Sequence, residues 1–256
     1  YGDAIFKTIP ANAKVIHFFN AHISRAFHSM KELKMEVPKK IETGAVKEEI
    51  IKLLNKNRHL KGARIRMTLF RDAGGKYTPD QNTISYLIES EALEHDTYQL
   101  NDKGLVIDIF QEYKKPMNVL SNLKTTNDLV YVLGGIFKKE NNLDECILLN
   151  ERNEVTETIS SNLFLIKNNI LKTPALNSGC LNGVMRKQIL SFAEEIDMKV
   201  ALQQKITPED LMNCDEIFLT NAIKGIQWVS AFRDIRYYRD TARKLMKKLN
   251  EATKLE

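Results

Sequence analysis

Short β-prone runs and tight turns between residues 146 and 173 limit the fold of this chain more than any other feature. The turn signals ERN and KNN separate these runs, which are Cys146–Leu149, a run from Val155, Asn162–Ile166 and Ile170–Thr173. A helical pattern from about Leu181 to Ile196 follows directly. The alternation then continues to a closing helix over Asp240–Glu251, through β-prone runs at Val200–Gln204, Ile217–Thr220 and Ile226–Phe232. Ahead of these runs, the sequence predicts a strand over Leu105–Phe110 and a loop over Tyr113–Asn122. This part of the chain therefore predicts an α/β domain.

The earlier residues predict a smaller α+β domain, with its strands and helices in separate runs. The predicted strands are Ala4–Ile9, Val15–Phe19, Arg64–Phe70 and Thr83–Ile88; the first two flank PANAK and the last two flank the turn signal DAGGKYTPD. Asn20 is the predicted cap of a first helix, and a second helix is predicted from about Ala45 to Asn57. We predict an N-terminal α+β domain over residues 1–92, a polar linker over 93–103 and a C-terminal α/β domain over 104–256.

Composition and charge exclude few functions. The 256 residues contain 38 Lys and Arg against 33 Asp and Glu, and the resulting charge of +5 is spread along the chain. Such a mild charge fits a protein that binds small anions as well as one that binds nucleic acid. The most basic segment, Arg233–Lys248, could be a binding module, but a solvated helix face with Leu245 and Leu249 inward is the simpler interpretation. We expect no nucleic-acid partner.

The spacing of the cysteines and histidines argues against a metal site, and the lengths of the apolar runs argue against a membrane-spanning segment. Cys146, Cys180 and Cys214 stand at wide spacings, and no Cys or His pair has metal-ligand spacing. An odd number of scattered cysteines is typical of a reduced cytoplasmic protein. No apolar run approaches the ~20 residues of a membrane span. We therefore predict a cytoplasmic protein with neither a metal site nor a membrane partner.

Two residues stand out as candidates for chemistry. Lys124 lies among small hydrogen-bonding residues in SNLKTTN, and a lysine amine can form a Schiff base with a carbonyl compound. Glu157 lies in VTETISSNLF, an apolar context that implies burial. A buried carboxylate needs a cationic partner, which could be a protonated ring nitrogen or simply a neighbouring Arg or Lys. Considered singly, each residue is more often surface or structural than catalytic.

Three further segments could bind an anion. The turn in NSGCLNGVMR enters a helix, and helix N-termini offer free N–H groups to phosphate. The strand end in FLTNAIKG, with Thr220, Asn221 and Ala222, is a second candidate. Arg25, in NAHISRA, is a third, because a planar guanidinium suits phosphate oxygens. Each of these also has an ordinary structural explanation.

The order and spacing of these segments carry a resemblance that covers essentially the whole chain. The matching segments are GDAIFKTI, AHISR, RIRMTLFRDAGG, LKTTN, ETISSNLF, KTPALNSGCLNGVMR and FLTNAIKGIQWV. Together they resemble the class IV pyridoxal-phosphate aminotransferase family, which includes branched-chain and D-amino-acid aminotransferases and 4-amino-4-deoxychorismate lyase. The resemblance implies a fold-type IV, D-amino-acid-aminotransferase-like α/β structure with pyridoxal 5'-phosphate as cofactor. It also implies a small anionic amino substrate and a homodimer.

The resemblance implies a role for each matching residue. Lys124 matches the lysine that forms the Schiff base with the cofactor and later moves the substrate proton. Glu157 matches the glutamate that binds the ring nitrogen, and Asn162 matches a further cofactor-binding position. Arg25 matches the phosphate-binding arginine. The backbone positions that match the rest of the phosphate site are Val184, Met185, Asn221 and Ala222.

The branch of the family is a choice between two activities. NGVMR, TNA and AHISR resemble the lyase, which releases pyruvate and 4-aminobenzoate in folate synthesis. RIR resembles the strand that presents a carboxylate-binding arginine in branched-chain aminotransferases, which makes Arg66 a predicted substrate-binding residue. Lys7 stands where many relatives have an acidic residue, and Leu129 where aminotransferases often have a tyrosine. We therefore expect a lyase first, and a branched-chain or D-amino-acid aminotransferase second.

Overall fold

Two compact units make up the chain. The computed structural model describes residues 2–12, 15–59, 61–202 and 205–254. One unit contains the residues up to Thr97 together with Leu123–Asn127, and the other contains Tyr98–Asn122 and the residues from Asp128 onward. The segment that carries Lys124 thus belongs to the first unit. The domain boundaries at residues 92 and 104 remain a prediction.

Within its described residues, the first unit is an antiparallel sheet with helices. The strands are β1 (Ala4–Asn12), β2 (Val15–Ile16), β3 (Gly62–Arg71) and β4 (Ile84–Ala92), in the order β2-β1-β3-β4. The helices are α1 (Phe19–Glu32), α2 (Lys39–Glu42) and α3 (Val46–Lys56). Alternate residues of β3 are buried, as its sequence predicts for a strand with one face on a core.

The first helix begins differently from the prediction. Phe18 precedes α1 in the left-handed region, with φ of 54°, and no side chain caps the helix. The predicted cap, Asn20, lies inside the helix, and the predicted strand Val15–Phe19 ends at Ile16. The tight left-handed turn at Phe18 leaves no room for a longer strand. Residues 13 and 14 of PANAK lie outside the described part of the chain.

The second unit is built on a larger mixed sheet. In its described residues the strands are β5 (Leu105–Lys115), β6 (Glu145–Asn150), β7 (Val155–Thr158), β8 (Asn162–Lys167), β9 (Ile170–Lys172), β10 (Lys199–Ala201), β11 (Glu216–Asn221), β12 (Gly225–Phe232) and β13 (Ile235–Arg236). The order is β10-β9-β8-β11-β12-β5-β6-β7, with β13 beside β12. The helices are α4 (Leu129–Glu140), α5 (Val184–Glu195), α6 (Pro208–Met212) and α7 (Asp240–Lys254).

The predicted elements of the second unit are present, but several bounds differ, and the short elements α6 and β13 are additional. The predicted strand Leu105–Phe110 continues to Lys115 through a register shift against β6. The helix predicted from Leu181 begins only at Val184, because Gly183 has extended backbone angles. The strand predicted over Val200–Gln204 is β10, and residues 203 and 204 lie outside the described part of the chain.

Helix α7 contains the second half of the basic segment Arg233–Lys248. Leu245 and Leu249 are fully buried, as predicted, while Arg243, Lys244 and Lys247 are exposed. The charges therefore occupy the outer face of a helix that packs on the core. Among the described helices, none is both long enough and apolar enough to cross a membrane.

A lysine lies in the interior of the first unit. Lys7 of β1 is fully buried, and its Nζ donates to the hydroxyl of Ser29 at 3.2 Å and to the carbonyl of Arg25 at 3.4 Å, both on α1. Burial, and then the charges of Arg25 and Lys124, hold the pKa of Lys7 well below its usual range. The folded chain therefore binds a proton at Lys7 much less readily than the unfolded chain does.

Replacing Lys7 with methionine should stabilise the fold most strongly near neutral pH. At pH values below the usual lysine pKa, Lys7 is protonated in the unfolded chain, whereas the folded chain binds this proton only weakly. Lys7 therefore lowers the free energy of unfolding at these pH values. This penalty fades as the pH rises toward about 10, where the unfolded lysine loses its proton as well. Urea denaturation should show a larger gain in unfolding free energy for Lys7→Met at about pH 7 than at about pH 9.5.

The matched control is Lys31→Met, at an exposed lysine of the same helix that contacts Lys7. It should change stability little at either pH. An equal gain for Lys7→Met at both pH values would contradict a proton-linked penalty.

Candidate functional site

In the first unit, three predicted site residues gather around two neighbours on β1. Lys7 contacts the carbonyl of Arg25, while the ring of Phe6 lies beneath the Arg66 guanidinium and the Lys124 ammonium. Successive strand side chains point to opposite faces of a sheet. One short piece of β1 therefore contacts Arg25 on its inner face and both Arg66 and Lys124 on its outer face.

The loop that carries Lys124 is fastened to β1. The N–H of Phe6 donates to the Lys124 carbonyl at 2.9 Å, and Ile5 forms an isolated β-bridge with Thr125. The N–H of Thr126 donates to a further carbonyl of β1 at 3.0 Å. Lys124 Nζ lies 4.3 Å from the centroid of the Phe6 ring, within cation–π distance. The small polar residues predicted to matter here hold the backbone from which the amine projects.

Arg66 borders a polar cavity on the outer face of the first unit's sheet. Its guanidinium carbon lies 4.5 Å from the centroid of the Phe6 ring, and its Nε donates to the Thr68 hydroxyl at 3.4 Å. The cavity has a volume of about 460 Å³, and its lining consists of polar or charged residues: Arg64, Arg66, Thr68, Glu89, Ser90 and Glu91. Such a lining favours charged ligand groups over apolar ones.

Arg25 and His22 lie one turn apart on α1. Burial lowers the pKa of Arg25 to about 10, which leaves its guanidinium charged at neutral pH. His22 is fully buried, and neither ring nitrogen has a hydrogen-bond partner among the described residues. Burial, and then the charges of Arg25 and Lys7, hold the pKa of His22 well below its usual range. His22 is therefore a neutral side chain, and Arg25 is the cation that could hold a phosphate.

In the second unit, the carboxylate of Glu157 is held by two side chains and one backbone group. Lys115 Nζ donates to Oε1 in a buried ion pair, and the Tyr131 hydroxyl donates to the same oxygen at 2.7 Å. The N–H of Leu181 donates to Oε2 at 2.9 Å. Pairing with a neighbouring lysine, one of the two partners considered from the sequence, is thus present. A carboxylate can accept about four hydrogen bonds, so Oε2 keeps room for one more donor.

The turn that contains Leu181 leads into α5. Asn162 Nδ2 donates to the Leu181 carbonyl at 2.8 Å, and a Cβ added at Gly183 would lie 2.0 Å from Asn162 Oδ1. Only glycine allows this close approach. No side chain caps α5, so the helix itself leaves the first-turn N–H groups, including those of Val184 and Met185, without partners. Free N–H groups at a helix start can bind a phosphate.

The end of β11 lies beside this helix start. Asn162 pairs with Thr220 in the sheet, and the Thr220 hydroxyl is buried without a hydrogen-bond partner among the described residues. Asn221 Nδ2 donates to the Ser161 hydroxyl at 2.9 Å, and its Oδ1 accepts two N–H groups of the following turn at 3.0 and 2.8 Å. These bonds shape the turn that contains Ala222. The predicted residues of the second unit therefore form one cluster.

The sequence did not predict Lys115 or Tyr131. The sequence predicts a loop at Lys115, because the β-prone run ends at Phe110 and the register shift that follows breaks the alternation. Tyr131 faces inward from α4, a helix with apolar residues on two faces. A lysine just before Pro116 at the end of a strand was the only available signal.

Cysteines and metals contribute no further chemistry to the described part of the chain. The three cysteines are free thiols, and burial raises the pKa of Cys146 and Cys214 to about 12 and that of Cys180 to about 11. They are therefore protonated at neutral pH and poor nucleophiles. No group of three or more His, Cys, Asp or Glu side chains in the described residues is arranged to hold a metal ion.

Known proteins similar to this chain fall on both branches of one family. Residues 4–232 match the family described as amino-transferase class IV. A Methanocaldococcus jannaschii protein, provisionally named a branched-chain-amino-acid aminotransferase, is 28% identical over 230 residues, 88% of this chain and 77% of that protein. The aminodeoxychorismate lyase of Bacillus subtilis is 26% identical over 249 residues, 93% of this chain and 80% of the lyase.

A solved structure agrees with these relatives. The crystal structure of a Legionella pneumophila protein, provisionally named a 4-amino-4-deoxychorismate lyase, superposes with a TM-score of 0.88 at 25% identity. The superposition covers 98% of this chain and 91% of that one. The predicted fold-type IV α/β class is confirmed. Because the family match covers most of the chain, this protein belongs to the class IV aminotransferase family and is a pyridoxal-phosphate-dependent enzyme.

Proposed function

We propose that this enzyme is a 4-amino-4-deoxychorismate lyase, which releases pyruvate and forms 4-aminobenzoate for folate synthesis. The polar cavity beside Arg66 carries this proposal. A branched-chain side chain needs an apolar pocket, whereas this lining consists of polar and charged residues. Arg64 is paired with Glu91, so Arg66 is the residue whose guanidinium would bind a carboxylate of a substrate such as aminodeoxychorismate. The match to lyases over most of the chain supports the same activity.

The side chains of the first unit fit one end of the cofactor. Lys124 would attach it through Nζ, and Arg25 would bind its phosphate with a guanidinium that is charged at neutral pH. The contact between Phe6 and Lys124 Nζ supports this role, because it holds the amine at a defined place above the Phe6 ring.

The second unit fits the ring nitrogen and the remaining phosphate oxygens. Glu157 has an acceptor position left on Oε2, which suits a protonated ring nitrogen. The uncapped start of α5, at Val184 and Met185, offers N–H groups to the phosphate. The buried and unpartnered hydroxyl of Thr220, beside Asn221, is a group that a bound phosphate would satisfy. Asn162 would keep these two elements together.

The residues of this chain would then act on the substrate as follows. The bound cofactor supplies an electron sink next to the substrate nitrogen. Lys124 Nζ takes the proton from the ring carbon that carries the amino group, and Arg66 holds a carboxylate. As the proton leaves and the bond from the ring to the enolpyruvyl oxygen breaks, the ring would become aromatic. The leaving group would depart as enolpyruvate, which takes up a proton to become pyruvate.

An aminotransferase acting on branched-chain or D-amino acids is the second candidate. It is favoured by the relative named as a branched-chain aminotransferase and by Arg66, which could bind an amino-acid carboxylate. In this case Lys124 Nζ would take the proton from the Cα atom of the amino acid and pass it to the cofactor. The amino group would stay on the cofactor, and water would release a 2-oxo acid.

The lyase assay separates the two candidates. Purified enzyme with pyridoxal phosphate and aminodeoxychorismate should release pyruvate and 4-aminobenzoate in equal amounts, measured by coupled lactate dehydrogenase and by chromatography. Lys124→Ala should abolish both products. Arg66→Ala should raise KM about tenfold or more, because a charge-assisted bond to a carboxylate is lost. Arg58→Ala, at an exposed arginine outside the cavity, is the matched control and should leave KM unchanged.

Other outcomes would decide against the lyase. A cofactor-loaded enzyme that releases no pyruvate would exclude it. Conversion of the bound cofactor to its pyridoxamine form by leucine, valine or D-alanine, seen in the visible spectrum, would support the aminotransferase instead. If Arg66→Ala left KM unchanged while pyruvate was still released, the cavity would not be the carboxylate site.

Helix α4 supports a homodimer. Its exposed residues Leu129, Val132, Leu133 and Ile136 recur at helical spacing and form one apolar stripe, while its other face packs on β5 and β6. An apolar stripe exposed on a folded unit is typical of a protein interface. We propose that this stripe packs against a second copy of the chain in a two-fold symmetric contact.

Charges placed in the stripe should break the dimer. The double variant Val132→Glu and Ile136→Glu would bury unpaired carboxylates at the contact, which is strongly unfavourable. Sedimentation velocity should show a dimer for the parent and a monomer for the double variant. Lys244→Glu, at an exposed position of α7, is the control and should remain dimeric. A dimeric double variant would show that the stripe is not the interface.

The cytoplasm is the proposed compartment. The three cysteines are free and buried, which suits a reducing environment.

A further inference from the structure

We propose that Lys115 is a positioning residue for Glu157. It keeps the carboxylate charged and oriented so that Oε2 can accept a hydrogen bond from the protonated ring nitrogen of the cofactor. This inference rests on the proposed role of Glu157 in cofactor binding. The resemblance gave no role to Lys115, and sequence patterns placed it in a loop. Its place in the fold assigns it this function.

The ammonium of Lys115 uses all of its hydrogen-bonding capacity inside the second unit. Besides Glu157 Oε1, its Nζ donates to the Tyr131 hydroxyl at 2.8 Å and to the Ser121 carbonyl at 3.4 Å. An ammonium has three donors, so each one has an acceptor. Lys115 and Glu157 are 2% and 3% exposed, which leaves neither of them to bulk water. These three hydrogen bonds fix the position of the Lys115 ammonium next to Glu157 Oε1.

Tyr131 completes the arrangement on the same oxygen. Burial, and then the charge of Glu157, hold the pKa of Tyr131 well above its usual range, so the hydroxyl remains a donor. With the ammonium and the hydroxyl both on Oε1, the free acceptor position of the carboxylate lies on Oε2, next to the Leu181 N–H. The carboxylate is thus oriented before any ligand arrives.

Lys115 is also the cation that balances Glu157. The other titratable groups nearby are the Cys180 thiol, which burial keeps protonated, Arg186 beside Cys180, and Asp128 beside Tyr131. None of them donates a hydrogen bond to Glu157. A buried carboxylate that loses its cation takes up a proton instead of remaining charged. A protonated Glu157 could no longer serve as acceptor and counter-charge for a ring N–H.

A purely structural ion pair would behave differently. Buried pairs often add little to stability, and loss of one member weakens the fold whatever the ligand. Such a loss would lower cofactor affinity, if at all, by a factor that does not depend on pH. Positioning through charge predicts that the loss grows as the pH falls, because acid favours the protonated form of an unbalanced Glu157.

The test measures cofactor affinity against pH by equilibrium dialysis with pyridoxal phosphate. For Lys115→Met, the ratio of parental to variant affinity should rise about tenfold or more between about pH 9 and about pH 6. Lys115→Arg, which restores a cation, should bring the ratio close to one at both values. Lys167→Met, at a partly exposed lysine paired with Asp215, is the matched control and should show no change. A ratio for Lys115→Met that is constant over this range would overturn the proposal.

Two further variants keep the result interpretable. If Lys115→Met fails to give a folded protein by circular dichroism, Lys115→Gln replaces it with the same expected pH dependence and the same overturning result. Glu157→Gln tests the role on which the inference rests. Unchanged affinity in Glu157→Gln would remove that role, and the inference with it. Weakened affinity in Glu157→Gln, together with a constant ratio for Lys115→Met, would overturn the role of Lys115 alone.

Discussion

A buried carboxylate needs a cation, and this requirement organises the centre of the second unit. Glu157 on β7 is reached by Lys115 from the end of β5, by Tyr131 from α4 and by the Leu181 N–H ahead of α5. One charge therefore joins two strands, a helix and a turn. Breaking such a pair from one side typically costs about 3–5 kcal/mol, so the elements that carry the partners are held in fixed relative positions.

The first unit shows the opposite arrangement, in which cations stand close together. Lys7 is buried on one face of β1 beside Arg25, while Arg66 and Lys124 share the ring of Phe6 on the other. Burial lowers the pKa of Lys7, and the neighbouring charges of Arg25 and Lys124 lower it further. Such unfavourable charge is common where proteins bind anions, and this supports the proposed cofactor-binding role of the side chains around this piece of β1.

Sequence patterns predicted what depends on local periodicity and missed what depends on distant partners. The strand β3 and the helix α3 follow from alternation and helical spacing, and most predicted bounds of these elements differ by only a few residues. Lys115 could not be predicted, because its burial depends on a register shift in β5 and on a carboxylate 42 residues later. The left-handed turn at Phe18 was missed for a similar reason, since nothing in its side chain favours that backbone conformation.

The fold fixes the cofactor chemistry but not the substrate, because one fold serves both lyases and aminotransferases among the relatives. The choice therefore depends on side chains that project beyond the shared frame. In this chain those side chains are polar: Arg66 borders a cavity lined by polar and charged residues, in which Arg64 is paired with Glu91. Burying an apolar group against charged groups also strips those groups of water without replacing their hydrogen bonds. A substrate that brings its own carboxylates avoids that cost, and this favours the lyase.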